Sequence, residues 1–395
     1  MCNNFLRKAI AQYKTPFYIF DTDVLVEQIK KIKSVIGCDI DLCYAMKANP
    51  FIIKEIEKVI DSFEVCSPGE FHICERASIS MDKVIMSGVY KNAEDIKYAL
   101  LKYGNKIIYT VESILQWQII KEYVEKYNLS VRVLLRLTIG NQFGMDEDSI
   151  RQIISNRNLY QYIEIEGIQF FSGTQKKSSS RIAKEIRMLD DFCDNLEKYQ
   201  DFYVKRLEYG PGLPVCYFEG ENSCEDDILN VLIKELENMR FNGKVVLEMG
   251  RFIAASCGTY VTSVVDIKLN KNQHYCIVDG GVHHINYFGQ MLAMKKPPII
   301  HLMEEKDGDI KKWNVCGSLC TMNDVLVKQY PFVNLQLKDK LIFKKVGAYS
   351  MTEGISLFLS RELPQVILYS KDSGLRLIRN NFPTDRLNYI QYKNN

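Results

Sequence analysis

Eight short apolar runs, separated by stretches of helical spacing, constrain this chain more than any other feature. The runs fall at residues 40–46, 62–66, 83–87, 106–111, 131–137, 164–171, 206–209 and 244–249. Between them, apolar residues recur at helical spacing in Ile52–Ile60, Ala93–Tyr103, Ile114–Tyr127, Ile182–Leu196 and Asp226–Met239. Strands alternating with helices imply parallel βα units, and eight of them close a (β/α)8 barrel, the TIM-barrel class of α/β fold. The competing open, doubly wound sheet would carry a Gly-x-Gly-x-x-Gly turn after its first strand, and this chain has none there. The alternation stops near Arg251. From Gly258 the text turns β-like, at 259–265, 275–281 and 339–346, with turn-rich loops at Lys296-Pro297-Pro298 and at Lys306 to Asp309 between them. The expectation is a barrel over residues 24–257 and a mostly antiparallel β-domain built from 1–23 and 258–395. The strand at 16–20 has no barrel role and is expected to pair with that second domain. Asp21-Thr22-Asp23 then caps a helix whose apolar face carries Val26, Ile29, Ile32 and Val35.

Charge narrows the function. Lysine and arginine total 51 against 49 acidic residues. No broad basic face is implied, so neither nucleic acid nor an anionic membrane is an expected partner. No apolar run is long enough to span a bilayer and no signal segment opens the chain, so a soluble, cytoplasmic protein is expected. Twelve cysteines occur without a Cys-x-x-Cys pair, which reads as reduced, mostly buried thiols. Cys316 and Cys320 lack a second ligand pair. His283 and His284, adjacent on a strand, would face opposite ways, so no metal site is expected.

In a barrel of this class chemistry collects at the C-terminal ends of the strands. The first run, Leu42-Cys43-Tyr44-Ala45-Met46-Lys47, ends in a lysine followed by Ala48-Asn49-Pro50. A lysine at the end of a buried strand is either a snorkelling surface group or an amine with a depressed pKa, the usual Schiff-base former. The other ends supply Ser67 with Glu70, Ser87-Gly88, Glu112, Arg136, Ser172-Gly173-Thr174-Gln175, Gly210-Pro211-Gly212 and Glu248-Met249-Gly250-Arg251. Taken singly, each glycine turn is an ordinary βα loop. Together with a lysine, a glutamate and an arginine, they describe a pyridoxal 5'-phosphate site. Lys47 holds the aldehyde, the glycine turns and Arg251 hold the phosphate, and Glu248 faces the pyridine nitrogen.

These residues carry a family resemblance. The chain resembles the fold-type III pyridoxal-phosphate decarboxylases, the family of diaminopimelate, ornithine and arginine decarboxylases, whose barrel is alanine racemase-like. The likeness covers nearly the whole chain. It rests on Tyr44-Ala45-Met46-Lys47-Ala48-Asn49, Glu64-Val65-Cys66-Ser67-Pro68-Gly69-Glu70, Gln142-Phe143-Gly144, Glu248-Met249-Gly250-Arg251, Cys316-Gly317-Ser318-Leu319-Cys320 with Asp324, and Gly347-Ala348-Tyr349. The resemblance implies a head-to-tail homodimer with shared active sites, in which Cys320 and Asp324 reach the partner's site and Tyr349 touches the cofactor phosphate. The expected cofactor contacts are thus Lys47, Glu64, Ser67, Arg136, Phe171, Thr174, Gly210, Gly212, Glu248, Gly250, Arg251 and Tyr349. The expected catalytic groups are Lys47, Glu248 and Cys320, the last as proton donor to Cα, with a buried structural thiol as the alternative reading of Cys320.

A carboxylate at position 248 keeps the pyridine nitrogen protonated and so favours decarboxylation; alanine racemases of similar barrel place an arginine there. Three departures bear on the substrate. Phe171 stands where the family usually has a ring-stacking histidine, Pro211 replaces a glycine of the phosphate turn, and Thr321 replaces the acid that diaminopimelate enzymes carry. The segment Val282-His283-His284-Ile285-Asn286-Tyr287 also lacks the arginine those enzymes use for the distal carboxylate. The Phe-Ser-Gly-Thr-Gln and Gly-Gly-Val-His-His stretches look more like a subgroup from antibiotic and siderophore pathways. The expected substrate is therefore a small amino acid with an uncharged or carrier-protein-linked far end, with Thr321, Asp324, His283 and Asn286 as substrate-binding residues. An ordinary diaminopimelate decarboxylase of lysine biosynthesis, a racemase and a catalytically silent regulatory relative are the alternatives.

Overall fold

The structure, a computed structural model, describes residues 4–221, 225–290, 293–303 and 307–390. Lys306 of the expected turn lies outside them, as do Cys2 and Cys224 of the twelve cysteines. Contacts divide the chain into two units, one of Val26–Val215 with Ser223–Ile253, the other of Met1–Leu25, Cys216–Asn222 and Ala254–Asn395. The short segment beginning at Cys216 thus groups with the second unit although it lies within the range assigned to the barrel. Glu219 shows why: its N–H donates to Lys296 O at 2.9 Å, and its carboxylate accepts from Tyr330 at 2.7 Å.

Strand β1 (Phe17–Asp21) belongs to the second unit, and the barrel begins after the helix Thr22–Ile36. Asp21 caps that helix, its Oδ1 accepting from the N–H groups of Asp23 and Val24 at 3.1 and 3.2 Å. The barrel strands are β2 (Ile40–Ala45), β3 (Ser62–Val65), β4 (Val84–Met86), β5 (Ile108–Val111), β6 (Val131–Leu137), β7 (Ile163–Phe171), β8 (Arg206–Gly210) and β9 (Lys244–Met249). Every neighbouring pair is parallel, and β9 returns to β2 to close the barrel. The eight runs read from the sequence match these strands to within two residues at each end. Two intervening helices run Ala93–Tyr103 and Ile114–Tyr127, as their spacing predicts. Asn92 and Ser113 cap their first turns, and Gly104 and Asn128 end them at positive φ. The helix expected at Ile182–Leu196 is longer, Ser179–Gln200, because Ser178 caps it and Asp201 closes it with φ 50°.

Inside the barrel a dry layer of Cys43, Ile85, Ile108, Leu134 and Val246 packs together. Side chains alternate along a strand, so two residues further on the same strands point Ser87, Thr110, Arg136 and Glu248 to the same side. The change from apolar to polar at that step makes one end of the barrel chemical.

The second unit continues with β10 (Gly258–Asn270), β11 (Gln273–Val278), β12 (Ile299–Leu302), β13 (Ile310–Cys316), β14 (Val325–Val333), β15 (Lys340–Lys344), β16 (Gln365–Ser370) and β17 (Gly374–Arg379). The sheet order is β14-β13-β11-β10-β1-β16-β17, with β15 pairing β10 and β12. As expected, β1 enters this sheet. It runs antiparallel to β10 and parallel to β16. Among the described residues, only β1–β16 and β11–β13 are parallel pairs here. Its core joins Phe17 and Ile19 of β1 to Val261, Ile342 and Ile367, under Leu6 and Ala9 of the helix Asn4–Gln12.

Candidate active site

Lys47 sits two residues past the end of β2, in the 3-10 turn Met46–Ala48. The register sets Glu64 of β3 beside Ala45 and Glu248 of β9 beside Cys43. The amine therefore meets both acids: Nζ lies 2.8 Å from Glu64 Oε2 and 3.4 Å from Glu248 Oε1. The two carboxyl groups are almost wholly buried, whereas the lysine side chain remains 36% exposed. Burial works against the Glu64 anion, but the Lys47 charge and hydrogen bonds from Glu248 and Lys47 outweigh it and hold the carboxyl well below the usual range. Glu248 goes the other way. Burial and the neighbouring Glu64 charge raise it, and Lys47 offsets only part of that. One acid of the pair is thus an anion and the other holds a proton at neutral pH. Gln169, inward from β7, donates to Glu248 Oε2 at 3.3 Å.

Phe171 ends β7, and its ring centre lies 5.9 Å from Lys47 Nζ. A Cβ on Gly210 would stand 2.6 Å from that ring, so glycine there leaves room for the phenyl group. The two glycine turns meet back to back. Gly212 has φ +60° and a Cβ there would lie 1.9 Å from Gly173 O, while Lys176 N–H donates to Gly212 O at 2.9 Å. Thr174 follows Gly173 directly in this pair. Gly250 is equally confined, its absent Cβ 2.9 Å from that of Ala48, and buried Arg251 opens the next helical turn. Arg136, at the end of β6, pairs with Glu112 at 3.0 Å and stacks over Phe143 at 4.9 Å.

The sequence model described as "Pyridoxal-dependent decarboxylase, pyridoxal binding domain" matches residues 22–255. The chain belongs to this decarboxylase family. An L-glutamyl-(BtrI acyl-carrier protein) decarboxylase of Niallia circulans is 26% identical, over 93% of this chain and 91% of the relative. The 2-((L-alanin-3-ylcarbamoyl)methyl)-2-hydroxybutanedioate decarboxylase of Staphylococcus aureus is also 26% identical, over 89% and 93%. Among solved structures, a diaminopimelate decarboxylase from Helicobacter pylori complexed with L-lysine superposes with a TM-score of 0.85. It is 23% identical and covers 97% of this chain and 98% of that one, a likeness of fold.

The barrel end of this decarboxylase fits pyridoxal phosphate. An amine beside an aromatic face suits a flat aldehyde, and paired glycine turns with Arg251 suit its phosphate. Gln169 Oε1 and Glu112 Oε2 are buried there with no hydrogen-bond partner among the described residues.

Some expected residues have other tasks. Ser67 is exposed and caps the helix Pro68–Arg76, its Oγ accepting from Glu70 N–H at 3.2 Å, while Glu70 accepts from Cys66 N–H at 2.6 Å. Cys320, Thr321 and Asp324 lie on the loop between β13 and β14 of the second unit. Cys320 is exposed. The Asp324 carboxylate, expected to meet substrate, is turned inward instead. Its Oδ1 accepts from Val282 N–H at 2.8 Å and its Oδ2 from Leu319 N–H at 2.7 Å. Gly281 and Gly317 make room for it, since a Cβ on either would stand within 2.6 Å of its oxygens. Asp324 is therefore the brace of the Cys320 loop. Asn286 accepts through its backbone carbonyl from Ser350 at 2.7 Å. Tyr349 holds φ +65° in the second unit. His283 is buried, and the pair His283-His284 lies in a turn after β11 rather than on a strand. The two ring centres lie 3.7 Å apart at a tilt of 40° instead of facing apart.

Sequence reading passed over Gln169 and Lys91. Gln169 could have been found by counting back two from Phe171 on β7. Lys91 is buried, donating to Gly88 O at 2.6 Å with Glu112 at 4.0 Å. Burial lowers its pKa to about 8 against the pull of Glu112.

Proposed function

We propose that this decarboxylase removes the α-carboxyl of an amino acid whose far end is amide- or thioester-linked, such as a glutamyl group on a carrier protein. One observation carries the reading. The only acid in the loop from Cys320 to Asp324 has both oxygens bonded to backbone N–H groups, so this loop offers no carboxylate to a distal ammonium. Burying such an ammonium unpaired would be prohibitive. Thr321 provides a neutral hydroxyl instead. The Niallia circulans and Staphylococcus aureus relatives, whose names specify a carrier-linked glutamyl group and an amide-linked alanine, support it.

Bound pyridoxal phosphate supplies the electron sink for the pair left as CO₂ departs. Lys47 holds and orients it; the Gly173–Thr174 and Gly210–Gly212 turns with Gly250 and Arg251 grip its phosphate. Phe171 offers a stacking face but, unlike a histidine, no proton. Glu248 as a carboxylate would keep a proton at the pyridine nitrogen, whose charge would offset the burial and the Glu64 charge that otherwise disfavour its anion. Glu64 supplies the neighbouring negative charge that favours that proton, and Arg136, steered by Glu112, borders the ring. Cys320 Sγ, contributed by a partner subunit in a homodimer, delivers the proton to Cα that replaces CO₂. The enzyme works in the cytoplasm.

The test is CO₂ release, compared as kcat/KM, for free diaminopimelate, ornithine, lysine and glutamate against carrier-bound glutamyl and γ-amide analogues. The capped substrates should lead by roughly a hundredfold or more, the scale of a site that rejects an unpaired charge. Efficient turnover of free diaminopimelate would overturn the reading.

A further inference from the structure

The second unit contains a cavity of about 490 Å³, within the size range of small-molecule sites, that no step above uses. Its lining includes Lys14 ahead of β1, Asp279, His283 and His284 after β11, and Arg361 and Glu362 ahead of β16. The two histidines differ in a telling way. His284 is fully engaged: Nε2–H donates to Glu362 O at 3.1 Å, which leaves Nδ1 to accept from the Tyr260 hydroxyl at 3.1 Å. His283 lies against it, ring centres 3.7 Å apart, with only 1% of its surface exposed, and neither of its ring nitrogens has a partner among the described residues. A leucine would fill the same volume without the cost of burying two unmet polar atoms. The ring therefore lines the cavity at a stability cost that packing does not explain.

The surrounding charge indicates what would satisfy it. Burial and the nearby Arg361 guanidinium both keep His283 neutral, with its pKa down at about 4, so it presents one N–H. Arg361 is fixed at the rim, donating to Ser318 O at 2.8 Å, and Lys14 lies exposed beside it. Of the two acids, Asp279 is already met by three donors, the Thr15 and Thr262 hydroxyls and Ser263 N–H. Glu362 is exposed and accepts from the Asn381 amide at 3.3 Å. Arg361, Lys14 and the unmet His283 imidazole thus share this lining with two acids that both already accept hydrogen bonds.

We propose that this cavity is a binding site for a small oxyanion-bearing molecule, a carboxylate or a phosphate, held between the His283 ring and Arg361. The experiment uses the holoenzyme, so that phosphate cannot enter the cofactor's own site, with inorganic phosphate and succinate as probes. Calorimetry and the imidazole NMR signals of His283 are the readouts. One probe should bind saturably and move the His283 signals, and which one does so separates a phosphate source from a carboxylate source. Arg361→Met should weaken that binding roughly tenfold or more. His283→Leu should abolish it while raising Tm in probe-free buffer, the signature of a site kept for binding rather than packing. If His283→Leu does not fold, Arg361→Met at its exposed position decides alone. Absence of saturable binding by either probe, or binding unchanged in Arg361→Met, would overturn the proposal and leave the cavity to solvent.

Discussion

Lys47, Glu64 and Glu248 behave as one unit, and their protonation can be read from stability as well as activity. Glu248 binds its proton more tightly in the folded chain than in the unfolded one, because burial and Glu64 disfavour its anion. Its contribution to stability is therefore present below the ordinary carboxylate range and is lost as pH rises through its elevated pKa. Glu64 has the opposite sign: its contribution is present above that range and lost as pH falls through its depressed pKa. In the cofactor-free protein, Glu248→Gln should match the parent's Tm near about pH 4 and exceed it near about pH 8, because glutamine cannot ionise. Tm curves that run parallel across that window would show that Glu248 is not the proton-holding member. In the loaded enzyme the same change should lower kcat by about 10²–10³-fold, the usual cost of losing a group matched to developing charge. The amine has a direct chemical test. Borohydride should fix pyridoxal phosphate on the single peptide carrying Lys47, and label on another lysine would remove Lys47 from the role.

At the scale of elements, the barrel was legible because strand and helix periods differ and each survives in the sequence. Inward positions along β6 and β9 read apolar and then polar, Leu134 to Arg136 and Val246 to Glu248, and that step also marks the site. The second unit was less legible. Strands β12, β13, β14, β16 and β17 went unread, since Lys311-Lys312 in β13 and the arginines of β17 break the alternation on exposed strands. Neither the loop brace by Asp324 nor the contact between the two histidine rings could be read from sequence, because both depend on residues brought together by turns. The glycine turns carry the element-scale prediction. Gly212→Ala places a methyl group where Gly173 O now sits and demands a left-handed φ, so the two turns must separate. Affinity for pyridoxal phosphate, followed by its absorbance band in a titration of apoenzyme, should fall at least about tenfold, equivalent to roughly 1.4 kcal/mol. Unchanged affinity would mean that the turns do not grip the phosphate.

For the whole molecule the decisive question is how Cys320 meets Lys47. The two residues belong to different units of the chain, and the loop that carries the thiol is built to be presented. Asp324 anchors its base to Val282 and Leu319, while Cys320 is exposed and Met322, two residues on, is 96% exposed. A head-to-tail homodimer would place this loop over the partner's barrel, so that each active site takes its amine from one subunit and its proton donor from the other. Two crippled variants then complement each other. Lys47→Ala and Cys320→Ala homodimers lack one essential group at both sites and should each be inactive or nearly so. A hybrid dimer has one site with both defects and one site with neither. After subunits are mixed in equal amounts and allowed to exchange, half of the dimers are hybrids with one working site of two, so activity should recover to about a quarter of the parent's. Differently tagged subunits, purified through both tags in sequence, isolate the hybrid, which should then show about half of the parent's activity per dimer. A hybrid that demonstrably forms and stays inactive would place Cys320 in the same subunit's site.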